Sequence, residues 1–172
     1  MIKVKIGDLL FDEISQMGII LLEEDIETPQ QENFTISDIK VLPIWIGMFE
    51  AQAIMFKLQN MFFPRPLTHD LLKNCIEGLY GKVEYVLITS IKDNTFYAEI
   101  HIKVDQKEVV IDSRPSDAIA LAIRCDCPIY VNEEVMNLAS VRKEDFLKEQ
   151  KDKILKQILE ITQLDEENKS KH

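Results

Sequence analysis

The sequence predicts an α+β fold with a mostly antiparallel sheet, interleaved helices and a C-terminal amphipathic helix, and three patterns carry that prediction. Apolar Phe96, Ala98, Ile100, Ile102 and Val104 alternate with Tyr97, Glu99, His101, Lys103 and Asp105, the period of a strand with one buried face. Turn signals at Asp93-Asn94 and Asp105-Gln106-Lys107 separate this stretch from Val83 to Ile91 before it and Glu108 to Asp112 after it, so three antiparallel strands are expected. Strands come first along the chain and helices are then interleaved with antiparallel strands, which argues against a wound parallel sheet.

The remaining elements follow from spacing and breakers. Ile2 to Ile6, Gly18 to Glu23 and Ile39 to Ile46 read as strands, and the polar stretch Glu24 to Asn33 reads as a loop. A helix begins near Glu50: Ala51, Ile54, Met55, Leu58, Met61 and Phe62 recur at helical spacing until Pro64 ends it. Thr68 suits the cap of a second helix, Leu71, Leu72, Cys75, Ile76 and Leu79 its buried stripe, and Gly81 its C-terminal cap. Pro115 to Arg124 is apolar nearly all round and is expected to pack against the sheet, with Pro128 stopping it before the short strand Ile129 to Val131. From Ser140 onward, Leu147, Ile154, Ile158 and Ile161 form an apolar seam among lysines and acids. Such a helix must either fold back on its own domain or meet another subunit, and of the two a homodimer is expected.

Composition bounds the function classes. With 46% hydrophobic and 29% charged residues over 172 positions, the chain can bury a sizeable core and is not wholesale disordered. The start, Ile2-Lys3-Val4-Lys5-Ile6, alternates and offers no secretory h-region, while Glu50 interrupts the longest apolar run, so no membrane span is expected. Three cysteines, Cys75, Cys125 and Cys127, read as reduced core thiols in a cytoplasmic protein. A net charge of −10 argues against a generic nucleic-acid coat, but it is uneven: residues 1–32 hold eight acids and two lysines, whereas residues 51–82 carry a net +2. One locally basic face for phosphate is compatible with that distribution. No Gly-rich phosphate loop and no Gly-x-Ser-x-Gly elbow occurs, and Cys125-x-Cys127 lacks zinc-ligand spacing.

Two short polar segments stand out where a core has little use for them. In Arg65-Pro66-Leu67-Thr68-His69-Asp70, His69 and Asp70 fall in the first turn of a helix. Backbone N–H groups and the positive helix end there suit an anion such as phosphate, and an imidazole can be base, acid or metal ligand. The plainer alternative is that Asp70 complements the helix dipole and His69 is a surface residue. In Asp112-Ser113-Arg114-Pro115-Ser116-Asp117, Pro115 suits the first helical position. Arg114 is then placed to hold a phosphate and the two aspartates a divalent cation; equally, Arg114 simply pairs with one aspartate and fixes the loop. Glu50 is a further carboxylate, with a helix-start acid as its plainer role. His101 reads as solvated on the polar face of its strand.

Leu42-Pro43-Ile44-Trp45-Ile46-Gly47, Glu50-Ala51-Gln52-Ala53-Ile54, Arg65 to Leu72, Asp112 to Ala122 and Pro128 to Val131 with Glu133-Glu134 resemble, in one order and without gaps, the bifunctional nuclease domain family. The resemblance covers about Ile2 to Met136 and implies a family domain over residues 1–137; the change of composition beyond it predicts a helical extension over 138–164 and a disordered tail over 165–172. It implies a nuclease hydrolysing phosphodiester bonds of RNA and DNA. It transfers no mechanism, so the roles come from chemistry: His69, Asp70 and Asp117 as catalytic groups; Arg65, Thr68, Arg114 and Ser116 as substrate contacts; Asp70, Asp112 and Asp117 as ligands of Mg²⁺ or Mn²⁺. Competing readings are a non-catalytic module binding an anion or nucleic acid at the same helix ends, and a homo-oligomeric interaction protein. On the catalytic reading, the Thr68 to Asp70 and Asp112 to Asp117 turns are expected side by side, with Asp70, Asp112 and Asp117 opening onto one cleft shared with His69.

Overall fold

A computed structural model describes residues 1–12, 15–25 and 39–169, the side chains of 161–169 excepted. The chain folds as β1 (Ile2–Asp12), β2 (Met17–Glu24), β3 (Lys40–Gly47), α1 (Met48–Leu58), α2 (Thr68–Gly78), β4 (Gly81–Lys92), β5 (Thr95–Val104), β6 (Lys107–Ser113), α3 (Pro115–Cys125), β7 (Ile129–Val131), α4 (Glu133–Ala139), β8 (Val141–Arg142) and α5 (Lys143–Lys169). This is the α+β class expected from the sequence. The strands form one sheet in the order β6-β5-β4-β7-β1-β2-β3-β8, in which β4 and β7 are the parallel pair.

The expected meander is present: β4 pairs antiparallel with β5 and β5 with β6. Asp93 and Asn94 both take positive φ, the backbone that a tight hairpin turn requires and that Asp and Asn tolerate. The register follows the alternation, since Ala98, Ile100 and Ile102 enter the core. His101 departs from expectation. It is buried rather than solvated, because Tyr85 stacks on its ring at 4.1 Å while Glu99 and Glu108 take its two nitrogens.

α3 is the centre of the core. Ala118 to Ala122 are buried against Ile20, Leu22, Leu42 and Ile44 from one half of the sheet and Val86, Ile88 and Ile100 from the other. A helix apolar all round has no solvent face to offer, and the sheet wraps it accordingly. α1 lies on the same layer through Ala51 and Ile54. Gly18 permits its close approach, as a Cβ there would run into the Cβ of Ala51. The opposite face of the β2–β3 region holds a smaller cluster, Ile19, Leu21, Val41 and Phe146, so the first turn of α5 caps it. Lys143 anchors that turn on Asp8 at 2.7 Å and Glu23 at 2.5 Å.

Several elements differ from expectation for local reasons. α1 stops at Leu58, with Asn60 in the left-handed region, so Met61 and Phe62 are exposed rather than part of a buried stripe. α2 contains no buried residue: Leu71, Leu72, Cys75 and Leu79 face outward, and only Ile76 among that stripe packs against the core. Gly81 is the buried first residue of β4 rather than a helix cap, Leu79 being the cap of α2. Cys75 is exposed, whereas Cys125 and Cys127 pack partly against the core, and burial pushes the Cys127 thiol up to about 12. α4, capped by the Asn132 side chain, and β8 were not anticipated. Past its docked first turn, α5 keeps Leu147, Ile154 and Ile158 substantially exposed. The predicted loop falls outside the described residues beyond Asp25; of the tail expected to be disordered, residues 165–169 instead continue the backbone of α5, and 170–172 lie outside the described residues. Among the described residues no helix is long and apolar enough to cross a membrane.

Candidate functional site

Three helix starts meet at one cleft. Gly47 caps α1, Leu67 caps α2 and Arg114 caps α3, each with extended backbone that turns the chain into its helix. The first turns bring in Glu50 from α1, Thr68 and His69 from α2, and Asp117 from α3. With Arg114 they line a cleft of about 580 Å³, whose apolar wall is Phe49, Ala53, Phe56, Pro66 and Leu67. The two turns expected side by side are thus adjacent, and Glu50 joins them.

The polar groups form a chain. His69 Nε2 lies 3.1 Å from Asp117 Oδ1. Arg114 donates from Nε to Asp117 Oδ2 at 2.7 Å and sets an Nη1 group 3.0 Å from Glu50 Oε1. Burial would raise the Asp117 carboxyl, but the hydrogen bonds and charges of Arg114 and His69 outweigh it and hold the group below the usual carboxylate range. Arg114 is correspondingly held more firmly protonated, by Asp117 first and Glu50 next. With Asp117 charged, Nε2 of His69 carries the hydrogen it donates, which leaves Nδ1 as the nitrogen for proton transfer when the ring is neutral.

Gly47 makes the Glu50 contact possible. A Cβ at that position would collide with the Glu50 carboxylate, which folds back over the helix start to reach Arg114.

The other expected site residues lie elsewhere. Asp70 turns away from the cleft: its Oδ2 accepts the Leu67 N–H at 3.0 Å and its Oδ1 accepts from Arg124 Nε at 2.6 Å. Thr68 therefore does not cap α2; Leu67 occupies the cap and Asp70 satisfies its backbone. Asp112 is exposed on β6 directly opposite Glu99. Opposed residues share a face, so Asp112 sits with Glu99 and His101, opposite the face from which Ala98 and Ile100 reach α3. Arg65 is exposed and outside the cleft lining, and Ser116 is buried and borders a separate opening beside β3 and the β4–β5 turn. Asp70, Asp112 and Asp117 thus do not open onto a shared cleft with His69, and the expected three-carboxylate ligand set is not assembled. Among the described residues no group of three or more His, Cys, Asp or Glu side chains is placed to hold a metal ion. Asp117 and Glu50 are instead committed to the cation Arg114.

Arg124 was missed as a site-building residue. It is 4% exposed, pairs with Asp70 of α2, and donates to Ala120 O in α3 and Ala53 O in α1 at 2.8 and 3.0 Å. The signal was available: an arginine in the last turn of an otherwise apolar, buried helix has to find partners inside.

Gly47→Ala is expected to swing Glu50 off Arg114 while changing the melting temperature by only a few degrees, because the far end of a flexible side chain can give way. A structure of the variant that retains the Glu50–Arg114 pair at its present distance would contradict this.

The model of the bifunctional nuclease domain matches residues 34–144. An uncharacterized protein of Mycobacterium tuberculosis is 40% identical over 102 residues, covering 59% of this chain and 60% of the relative. Bifunctional nuclease 2 of Arabidopsis thaliana is 30% identical over 131 residues, 74% of this chain and 40% of that protein. Bifunctional nuclease 1 of Oryza sativa subsp. indica is 31% identical over 98 residues, 55% of this chain and 30% of that protein. The chain therefore spans 60% of the mycobacterial relative's length and 30–40% of these plant relatives'. With the family match running through α1, α2 and α3, which carry the cleft, the chain belongs to the bifunctional nuclease domain family.

Proposed function

We propose that the cleft binds a phosphodiester of RNA or DNA and hydrolyses it. The observation that carries this reading is the His69–Asp117–Arg114–Glu50 chain at the meeting of three helix starts. Asp117 fixes the ring of His69 through Nε2, so Nδ1 can take a proton from the attacking hydroxyl or water and return it to the leaving oxygen. Arg114 uses Nε and Nη1 towards its carboxylates, and Nη2 takes part in neither contact, leaving donors for a phosphate oxygen. The three helix starts add positive potential where negative charge develops. Because the described donors fit a guanidinium rather than a divalent cation, no step is routed through a metal.

The test is single-turnover cleavage of labelled RNA and DNA oligonucleotides by highly purified protein, with EDTA and with Mg²⁺ or Mn²⁺. Cleavage is expected to persist in EDTA, and His69→Ala to slow it by roughly a hundredfold or more, as loss of a general acid–base does. Strict dependence on Mg²⁺ or Mn²⁺ would return a metal to the site. Activity unchanged in both His69→Ala and Asp117→Asn would place catalysis elsewhere or in a contaminant, and favour a non-catalytic module that binds nucleic acid at these helix ends.

The same reading takes the protein as a homodimer joined through α5, whose Ile154, Leu155, Ile158 and Leu159 are about half exposed, more than a lone amphipathic helix sustains. Sedimentation at micromolar concentration is expected to give a dimer that Ile158→Glu dissociates. A wild-type monomer over the same range would refute it.

A further inference from the structure

Proton transfer and phosphate binding use only part of the cleft. Phe49, Gln52, Ala53 and Phe56 line it from α1, at the i, i+3, i+4 and i+7 spacing of one helix face. Ala51 and Ile54 bury the other side of that helix in the core. From the α2 side come Pro66 and Leu67, and Leu67 is pinned there because Asp70 accepts its N–H at 3.0 Å. The cleft is thus apolar between α1 and the entrance to α2, and charged around Arg114, Asp117, Glu50 and His69.

Two side chains on the α1 face are not used by the fold. Phe49 is 84% exposed, whereas the ring of Phe56 packs on Phe63 at 5.0 Å between centroids. Gln52 is exposed beside it, and among the described residues its side-chain amide makes no hydrogen bond. A bare phosphate held at Arg114 gives neither of them anything to bind. A nucleobase does: its π-face stacks on an aromatic ring, and its edge meets the donor and acceptor that an amide carries. The cleft volume of about 580 Å³ lies within the range of about 300–1,000 Å³ typical of sites that enclose a small organic molecule.

We propose that the cleft is a nucleotide site, with the phosphate at Arg114, the neighbouring base laid on Phe49, and Gln52 reading the edge of that base. The inference rests on the phosphodiester reading of the charged end and adds recognition of the base beside the phosphate. Glutamine pairs bidentately with N6 and N7 of adenine, so adenine is the favoured base. A base lying on Phe49 has given up its neighbour on that face, so single strands and frayed ends fit better than a continuous duplex. Stacking also gives this acidic chain affinity that phosphate contacts alone would lose with rising salt.

The test uses the 3′- and 5′-monophosphates of adenosine and uridine, with inorganic phosphate as the control, followed by calorimetry and by NMR of the Gln52 side-chain amide. One adenosine isomer is expected to bind roughly tenfold more tightly than inorganic phosphate and to shift the Gln52 amide. Phe49→Ala is expected to weaken both nucleotides roughly tenfold while leaving phosphate unchanged. Gln52→Ala is expected to abolish a preference for adenine over uracil of roughly tenfold. Both side chains are exposed, so neither substitution disturbs the core. Inorganic phosphate binding as tightly as the adenosine nucleotides, a Gln52 amide that stays unshifted at saturation, or an adenine preference that survives Gln52→Ala would overturn the base site and leave the nuclease reading intact. Nucleotide binding with these effects, in a protein that cleaves no oligonucleotide, would sink the nuclease reading and sustain the base site.

Discussion

The buried guanidinium of Arg124 is the contact on which the geometry of the cleft depends. It reaches α2 through Asp70, α1 through the carbonyl of Ala53 and its own helix through Ala120, while its own carbonyl accepts Lys73 of α2 at 2.9 Å. α1 and α3 would stay in place without it, since Ala51, Ile54 and the Ala118 to Ala122 run are buried in the main core. α2 has no such anchor, as none of its residues is buried. Its docking rests on Ile76, on the two links to Arg124 and Lys73, and on the His69–Asp117 contact. Hydrogen bonds to buried charged groups contribute about 1.5–3 kcal/mol each. The Asp70 bond falls towards the low end, because that carboxylate is 37% exposed. Asp70 thereby serves the site from behind: it is a positioning residue that sets where His69 stands.

The charge arrangement inside the cleft has a comparable logic. An exposed arginine alone would be a mobile phosphate clamp. Here Asp117 and Glu50 hold it from two sides, and Gly47 leaves the space for Glu50 to do so. The cost is that two carboxylates partly offset the cation, which under the proposed function has to meet a phosphate. The gain is a fixed guanidinium plane and an imidazole whose donor nitrogen is assigned by Asp117. Catalytic power comes from groups that need no reorientation as charge develops, and under the proposed hydrolysis the helix starts would supply that here.

Much of this was legible in the sequence. The meander showed in the alternation of β5 and its Asp93-Asn94 turn, and the central helix in the unbroken apolar run before Arg124. Pro66 and Pro115 marked two polar helix starts, and their convergence brought His69, Arg114 and Asp117 together as the residue types suggested. What the sequence hid depends on direction in space. Asp70 and Asp117 occupy the same place in their helices, yet one points into the cleft and the other behind it, because Arg124 arrives from α3. Asp112 lies beside Ser113 and Arg114, but the two-residue period of β6 turns it to the opposite face. His101 sits at a polar position of β5 and is nonetheless covered, since Tyr85 crosses over it from β4. In α2, helical spacing suggested a buried stripe, but the neighbouring elements reach little more than Ile76.

If Arg124 is what docks α2, replacing it with methionine should preserve the packed stem in α3 and remove the clamp. Amide hydrogen exchange of Arg124→Met separates local from global loss directly. The expected result is that α2 amides lose protection while those of α3, β4 and β5 keep theirs. Protection of α2 equal to that of the unsubstituted protein would contradict the account, because it would mean that α2, and with it His69, is held by something other than this arginine.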